Sequence, residues 1–361
     1  MIGKTINNRD KKFTVFCALT LIMFFAACSQ WKLSTLTKSE ILFIENGAKA
    51  GQIALQYDDF ALTDLSFGIE IANDKIYSAD NTMHRIQVLS EKGEVELVLG
   101  DLKNINEKTT PSAAFKFGYI GRFTADSAEN IYVQNRLVSD QRKAGNRDFS
   151  PSYVVVFDKK GKLQYTLGER GLNDTPFYHI ESLFVDDNER LFVVSRSFDT
   201  WHVYRFSNKK QDFSIDLSTL NLKEKDGGDE LQGQIDNVKV YKSGDMLLVC
   251  VAYYGKDRRL KYNKVFDYSV SERKIIREIM TLPDPKNVLF AVVDEKSLYF
   301  WNISGDDIKL MICNMEGHIM NNIHLGVGDT KYLYFHILSD SSGRIFSYQA
   351  TKKGISISEW N

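Results

Sequence analysis

Short apolar runs alternate with polar turns along most of the chain, and six of these turn-and-strand units resemble one another. The stretch "DDNERLFVVS", for example, is a polar turn followed by a β-branched strand. The first apolar residue of each unit recurs every 47 to 60 positions, at Ile76, Ile131, Leu191, Leu247, Leu298 and Ile345. A period near fifty residues is typical of a repeat architecture.

Each unit contains several short strands. In the first unit, "FGIEIA", "IYSAD", "RIQVLS" and "VELVLG" are separated by the turns "NDK" and "EKGE" or by a short polar connection. Runs of period two between Gly, Asp, Asn and Lys turns predict antiparallel strands, and the chain has no long helical pattern. Four strands in each of six units predict an all-β fold, a six-bladed β-propeller with four antiparallel strands per blade.

The last unit has only three strands, "YLYFHIL", "RIFSYQA" and "ISISEWN". A missing fourth strand would leave an open sheet edge, which proteins generally avoid. The run "GQIALQY" (Gly51–Tyr57) has the right alternation to fill the gap. We therefore predict that an N-terminal strand closes the ring and joins the two ends of the chain.

The N-terminus resembles the signal peptide of bacterial lipoproteins. The basic start "MIGKTINNRDKK" precedes an uncharged apolar run, Phe13–Ala27, that is shorter than the roughly 20 residues needed to span a bilayer. The run ends in "FAAC", which is similar to a lipobox with Phe25 where leucine is usual; a plain secretory cut near "ACS" is the competing interpretation. The lipobox resemblance implies that Cys28 is lipidated, and Ser29 is similar to the residue that follows in lipoproteins sorted to the outer membrane.

These features predict three segments of the chain and a cellular location. They are a signal peptide over residues 1–27, a lipid-anchored tether over 28–45 and a propeller over 46–361. Export and a lipid anchor predict a location in the cell envelope, at the outer membrane, with membrane contact through the N-terminal lipid. A closed ring leaves no edge strand to pair with another copy, so the propeller is predicted to be monomeric.

Net charge and cysteine content bear on two further properties, nucleic-acid binding and disulfide bonding. Removing residues 1–27 takes away four cations and one acidic residue and leaves a net charge of −4, which argues against nucleic-acid binding. Cys250 and Cys313 lie in apolar strand-like runs, "LLVCVAYY" and "LMICNM". A disulfide is open to an exported protein, but two buried, unpaired thiols are the favoured interpretation.

One segment resembles a known family. The run "ADNTMHRIQV" (Ala79–Val88) is similar to the signature of NHL-repeat propellers, with matches at Asp80, Asn81, His84, Arg85, Ile86 and Gln87. The specific motif covers one blade, and the fold resemblance covers nearly the whole mature chain. The resemblance implies the propeller fold and a binding role, without a particular substrate. Asp80 and Arg85 are predicted to form an ion pair at the corner between strands two and three.

The loops predict where binding takes place. Connections between strands one and two and between strands three and four are tight, whereas the others are long and variable and gather on the opposite face. The second set carries cations and aromatic residues, a composition typical of protein interfaces. The predicted partner contacts are Arg136, Arg142, Arg147, Arg196, Trp201, Lys256, Arg258, Arg259 and Trp301.

The sequence contains no pattern that names a reaction. It has no GxSxG, HExxH or P-loop motif, and the histidines outside the repeat signature (His179, His202, His318, His324 and His336) share no repeat position. No catalytic residue, metal site or cofactor is therefore predicted. The favoured function is non-catalytic binding of a protein or envelope component. The alternatives are a lactonase- or lyase-type enzyme with a metal in the central channel, and a structural accessory lipoprotein of a larger envelope assembly.

Overall fold

Regular structure in this protein is almost entirely β. The structure, a computed structural model, describes residues 34–57, 62, 66–103, 105, 110–137, 143–144, 147–148, 152–168, 177–197, 200–304, 307–326, 332–340 and 342–361. Within these ranges the helical elements are two 3-10 turns, Leu217–Thr219 and Lys242–Gly244. No helix in the same ranges has the length and apolarity to cross a bilayer.

The first three blades are four-stranded antiparallel meanders, numbered from the innermost strand outwards. Blade one consists of Phe67–Ala72, Lys75–Asp80, Arg85–Ser90 and Val95–Gly100. Blade two consists of Tyr119–Ala125, Ile131–Arg136, Ser152–Phe157 and Leu163–Leu167. Blade three consists of His179–Val185, Leu191–Ser197, Thr200–Ser207 and Lys210–Asp216.

The remaining blades repeat this order. Blade four consists of Asp229–Tyr241, Met246–Tyr254, Leu260–Ser269 and Lys274–Thr281. Blade five consists of Val288–Val293, Ser297–Ser304, Asp307–Asn314 and Ile319–Leu325. Blade six consists of Tyr334–Ser339, Ile345–Thr351 and Gly354–Trp360, with Lys38–Glu45 as its outermost strand. The six-bladed propeller predicted from the repeat is confirmed.

Short strands decorate this ring. Ser112–Ala114 adds in parallel to blade one, and Ser34–Thr35 adds in parallel to blade five. Lys223–Asp226 forms a hairpin with the first part of the long strand Asp229–Tyr241. Lys143–Ala144 and Arg147–Asp148 pair with each other inside the connection of blade two.

An N-terminal strand closes the ring, as predicted, but it is not the predicted segment. Lys38–Glu45 pairs antiparallel with Gly354–Trp360, and so residues 38–45, which the sequence analysis placed in the tether, belong to blade six. Gly51–Tyr57 instead passes over blade one. In the part of the chain that the structure describes, its β-pairing consists of two isolated bridges, Asn46 with Ile53 and Tyr57 with Leu62.

The hydrophobic core is divided into six clusters, one at each junction between neighbouring blades. The cluster between blades six and one completes the circle and contains Ile44 of the closing strand together with Phe67, Ile69, Phe346 and Ile357. The other five clusters fill the junctions from blade one to blade six in the same way. Each blade is therefore held by apolar contact with both of its neighbours.

An aspartate closes the recurring turn between strands one and two in three blades. Its carboxylate accepts the backbone N–H and a side-chain N–H of the residue four positions later; the pairs are Asp126 with Asn130, Asp186 with Arg190, and Asp340 with Arg344. In blade three, Asp186 Oδ1 lies 2.9 Å from the Arg190 backbone N, and Oδ2 lies 2.7 Å from Arg190 Nε. These bonds explain why the polar run of "DDNERLFVVS" recurs.

Replacing Asp186 with alanine should lower the free energy of unfolding by about 1–3 kcal/mol. The carboxylate is buried, and its loss leaves the backbone and guanidinium donors of Arg190 without their acceptor. The neighbouring Asp187 is exposed, so Asp187→Ala should change the value by no more than about 0.5 kcal/mol. Chemical denaturation compares the two variants, and equal losses would show that the turn network does not stabilise the blade.

The two remaining cysteines are free and buried in the cluster between blades four and five. This confirms the interpretation of Cys250 and Cys313 as small apolar residues. Burial raises the pKa of both thiols to about 12, so both remain protonated at neutral pH.

Candidate functional site: the central channel and the long-loop face

The two faces of the ring differ in their connections. We call the face with the connections between strands one and two and between strands three and four the turn face; each of these connections has two to five residues. The opposite face, which we call the long-loop face, carries the connections between blades, and these have 6 to 21 residues. It also carries the connections between strands two and three.

The innermost strands of the six blades surround the central channel. Apart from tyrosines and from Asp229 and Glu230 in the hairpin, the titratable side chains of these strands are Glu70, Arg122, His179, Glu181, Asp236, Lys239 and His336. The charge of Arg122 acts on Glu70 of blade one, His179 of blade three, Lys239 of blade four and His336 of blade six. Arg122 also lines one cavity with Glu70, His179 and His336, so its side chain faces the central channel.

Bulges bring charged residues into the channel. The register of the innermost strand shifts at Ile120/Phe123, Ile180/Ser182, Ile235/Asn237 and Leu289/Ala291. The residues inside the first three shifts include Arg122, Glu181 and Asp236. A bulge adds a residue to one strand and re-aims its side chain, and bulges are frequent beside functional sites.

The channel widens into two cavities that meet at Glu70. The cavity towards the long-loop face has a volume of about 270 Å³, and its wall includes Arg122, Arg136 and His336. The cavity towards the turn face has a volume of about 340 Å³, and Lys239 lies in its wall. Glu70 lines both of them.

Burial in the channel and the charges of neighbouring residues shift the pKa values of several channel side chains. Burial raises the pKa of Glu70 to about 7, although the charges of Lys239 and Arg122 act in the opposite direction. Burial also lowers the pKa of Lys239. The pKa of His336 falls to about 4 because of burial and the positive charges of Arg122 and Lys239, so its imidazole is neutral at pH 7.

Glu70 should make the stability of the protein depend on pH. Its folded-state pKa lies above the unfolded value of 4.5, so the folded state holds the proton more tightly. The stabilisation that Glu70 contributes is therefore fully present below about pH 4.5 and is lost as the pH rises through 7. Relative to wild type, Glu70→Gln should gain stability between pH 5 and 8; denaturation series at several pH values measure this difference. A constant difference across that range would contradict the shifted pKa.

The predicted partner contacts separate into exposed and packed residues. Lys256, Arg258 and Arg259 are exposed on the five-residue connection between Tyr254 and Leu260, on the long-loop face. Arg196 is partly exposed, with Nε 3.0 Å from Glu181 Oε1. Arg136 lies with its guanidinium carbon 5.6 Å from the centre of the Tyr119 ring.

The two tryptophans do not lie on an open surface. Trp201 is only 3% exposed, because the predicted loop "RSFDTWH" is mostly strand and directs this ring into the core between blades three and four. Its assignment as a surface contact is therefore corrected. Trp301 is half-buried, with its ring 6.4 Å from Phe335 and 6.1 Å from His336. Arg142 and Cys28 lie outside the described residues, and Arg147 is placed only as part of its short strand.

A cavity of about 460 Å³ lies on the long-loop face between blades three and four. Its wall includes Arg196, Leu220, Gln234, Asp236 and Tyr254. The hairpin of Lys223–Asp226 with Asp229–Tyr241 stands beside it. The repeat pattern of the sequence did not reveal this cavity.

The NHL-like signature ties the N-terminal connection to blade one. Arg85 is fully buried, and its guanidinium donates to Ala48 O at 2.8 Å, Lys49 O at 2.9 Å and Gln52 O at 3.0 Å. Its Nη2 lies 3.4 Å from Asp80 Oδ2, the pair predicted from the sequence.

Two other signature residues connect blade one to blade two. His84 Nδ1 lies 2.7 Å from Gly118 O, and Asn81 exchanges two hydrogen bonds with the backbone of Ile120. The signature therefore stabilises the junction between blades as well as the corner of a single blade.

Within the described ranges, no group of three or more His, Cys, Asp or Glu side chains is arranged to hold a metal ion. The polar groups that line the channel are instead arginines, a lysine, the three carboxyl groups of Glu70, Glu181 and Asp236, and two neutral histidines. This set can bind and orient a polar ligand through hydrogen bonds and charge.

Comparisons with known proteins give structural similarity only. No family model matches the chain, and no curated protein matches it, so the NHL resemblance stays a prediction. A protein of unknown function from Bacteroides caccae has 12% identity and a TM-score of 0.41, covering 73% of this chain and 84% of its own. The subtype N10 neuraminidase-like protein of a little yellow-shouldered bat isolate has 8% identity and a TM-score of 0.44, covering 90% and 99%. The Dos1 propeller has 9% identity and a TM-score of 0.42, covering 91% and 95%.

Proposed function

We propose that this protein is a non-catalytic binding protein that holds a protein or an envelope component on its long-loop face. The observation that carries the proposal is the joint exposure of apolar and cationic side chains there. Tyr178, Leu260, Val288 and Ile303 are exposed at the long-loop ends of blades three, four and five. Lys256, Arg258 and Arg259 are exposed in the same region of the ring.

This composition is suited to protein contact. Aromatic and apolar side chains lose water on binding and supply affinity, while arginines supply directional hydrogen bonds and steer encounter. The cavity between blades three and four gives a partner side chain a pocket in which to anchor. Connections on the turn face have at most five residues, whereas those between blades on the long-loop face reach 21.

We further propose that the propeller belongs to the NHL-like lipoproteins and is exported and anchored through Cys28. The support is the sequence alone: the basic start, the apolar run Phe13–Ala27, the "FAAC" segment and the signature Ala79–Val88. A diacyl or triacyl anchor binds membranes firmly, because each buried methylene contributes about 0.8 kcal/mol. Cys28→Ser should release the protein from the membrane fraction and abolish labelling by a radioactive fatty acid.

Charge reversal tests the binding face. The mature wild-type protein, immobilised, is used to capture partners from detergent-solubilised envelope of the source cell. The double variant Arg258→Glu, Arg259→Glu should capture at least tenfold less of the dominant partner than the wild-type protein does. The matched control, Lys159→Glu with Lys160→Glu, carries the same charge change on an exposed connection of the turn face and should capture normally. Equal capture by both double variants would contradict the assigned face.

A further inference from the structure

We propose that the long-loop half of the central channel is a binding site for a compact small molecule bearing an oxyanion, a carboxylate or a phosphate, which the guanidinium groups of Arg122 and Arg136 hold. The site is the 270 Å³ cavity described above. It lies inside the ring and does not depend on the partner proposed for the outer face.

The first observation is that two guanidinium groups lack an acidic partner. In the described part of the chain, no carboxylate lies within 4.0 Å of the guanidinium of Arg122 or Arg136, although most other arginines there have one. Arg136 instead packs over the Tyr119 ring. Two unpaired guanidiniums in one cavity are a suitable receptor for a carboxylate or phosphate, which such groups bind in bidentate fashion.

The second observation is that the site is rigidly built. Gln134 is fully buried, and its Oε1 accepts the Arg122 backbone N–H at 3.0 Å while its Nε2 donates to Ser152 Oγ at 2.9 Å. Glycine at residue 121 leaves room for this amide, because a Cβ there would meet Gln134 Oε1 and displace it. This arrangement fixes the bulge that carries Arg122, and supported side chains bind with less loss of conformational freedom.

The third observation is the balance of charge around the cavity. The side chains of Arg122 and Arg136 line this cavity, and Lys239 lies in the wall of the adjoining one. Glu70 lines the same cavity and is only partly ionised at pH 7 because its pKa is raised to about 7. Glu181, whose charge also acts on Arg136, is paired with Arg196, and the neutral His179 and His336 add no charge. A concave site with this excess of positive charge attracts anions.

The far wall fits the organic part of such a ligand. Tyr334, His336 and Tyr348 form an aromatic group, with ring centres 5.4 to 6.2 Å apart. The neutral His336 ring can donate one hydrogen bond and accept another, which suits hydroxyl groups. A volume of about 270 Å³ restricts the ligand to a compact molecule.

Isothermal titration calorimetry of the mature protein at pH 6.5 tests the site with glucuronate, inorganic phosphate and uncharged glucose as probes. We expect saturable binding of at least one anion and none of glucose; which anion binds distinguishes a carboxylate ligand from a phosphate ligand. Arg122→Gln and Arg136→Gln should each weaken that binding at least tenfold. The control Arg273→Gln removes an exposed cation from the turn face and should bind as wild type.

Titration of a Glu70 variant and NMR of His336 test whether the anion binds inside this cavity. Glu70→Gln removes the negative charge at the floor of the site and should strengthen anion binding when the titration is repeated at pH 8, where wild-type Glu70 is ionised. NMR of the His336 ring should show its pKa rising when the anion binds, because the anion offsets the field of Arg122. Absence of saturable anion binding by folded wild-type protein would overturn the proposal, as would binding that is unchanged in both arginine variants.

Discussion

Replacing Arg85 with methionine should lower the free energy of unfolding by about 3–5 kcal/mol. The guanidinium is fully buried and satisfies the carbonyls of Ala48, Lys49 and Gln52 as well as the carboxylate of Asp80. Methionine fills part of the volume but donates no hydrogen bond. The substitution therefore leaves the buried Asp80 carboxylate without its cationic partner and removes the guanidinium donor from the carbonyls of Ala48 and Lys49, whereas Gln52 O keeps the bond from Gln87 Nε2.

The matched control is Lys92→Met, which removes an exposed cation from a turn of the same blade and should change stability by no more than about 0.5 kcal/mol. Urea denaturation followed by tryptophan fluorescence gives both values. The double variant Arg85→Met, Asp80→Asn should recover part of the loss, because it no longer buries an unpaired charge. A loss of less than 1 kcal/mol for Arg85→Met would mean that the N-terminal connection does not depend on this guanidinium.

The second large loss of stability is predicted for the strand that closes the ring. Ile44→Ala should cost about 2–5 kcal/mol, because Ile44 is 1% exposed and fills the cluster that joins blade six to blade one. Loosening this strand also exposes the edge of Gly354–Trp360, which is a template for aggregation. We therefore expect a lower midpoint of thermal unfolding and more aggregation on heating.

The adjacent Phe43 provides the control. It lies in the same strand but is 41% exposed, so Phe43→Ala should cost less than about 1 kcal/mol. Differential scanning calorimetry with light scattering compares the two variants at equal concentration. Equal effects of the two substitutions would contradict a closing strand in the register Ile44 opposite Ile355.

The repeat made most of the fold predictable, but the closing strand was not. Only one residue of Lys38–Glu45, Ile44, is fully buried, because this strand is outermost in its blade. Its sequence pattern is correspondingly weak. Gly51–Tyr57 shows stronger alternation because Ile53 and Leu55 are buried against blade one, where the backbone also covers Arg85. Burial thus produced a strand-like pattern in a segment that is not a strand of any blade.

The channel residues were hidden for a different reason. Arg122, Lys239 and His336 are separated by about a hundred residues or more, and each appears singly within an innermost strand. The repeat aligned strand two of each blade well, but bulges in strand one shift the residue that faces the axis. Charged residues within the innermost strands "YIGRFTA" and "DELQGQIDNVKVY" could have indicated the channel site. Charged side chains are rarely buried unless they are paired or functional. Arg258 and Arg259, which the loop pattern indicated, are exposed, whereas packing between blades makes Trp201 a core residue.

In-cell photo-crosslinking tests the central claim, binding through the long-loop face, most directly. A photoreactive amino acid replaces Tyr178, which is 67% exposed, or Arg258 on that face, and in parallel replaces Lys159 on the turn face. The account predicts one dominant adduct from both positions of the long-loop face and none of the same mass from Lys159. Adducts that are equally frequent from both faces, or absent from the long-loop positions of an intact and folded protein, would contradict it.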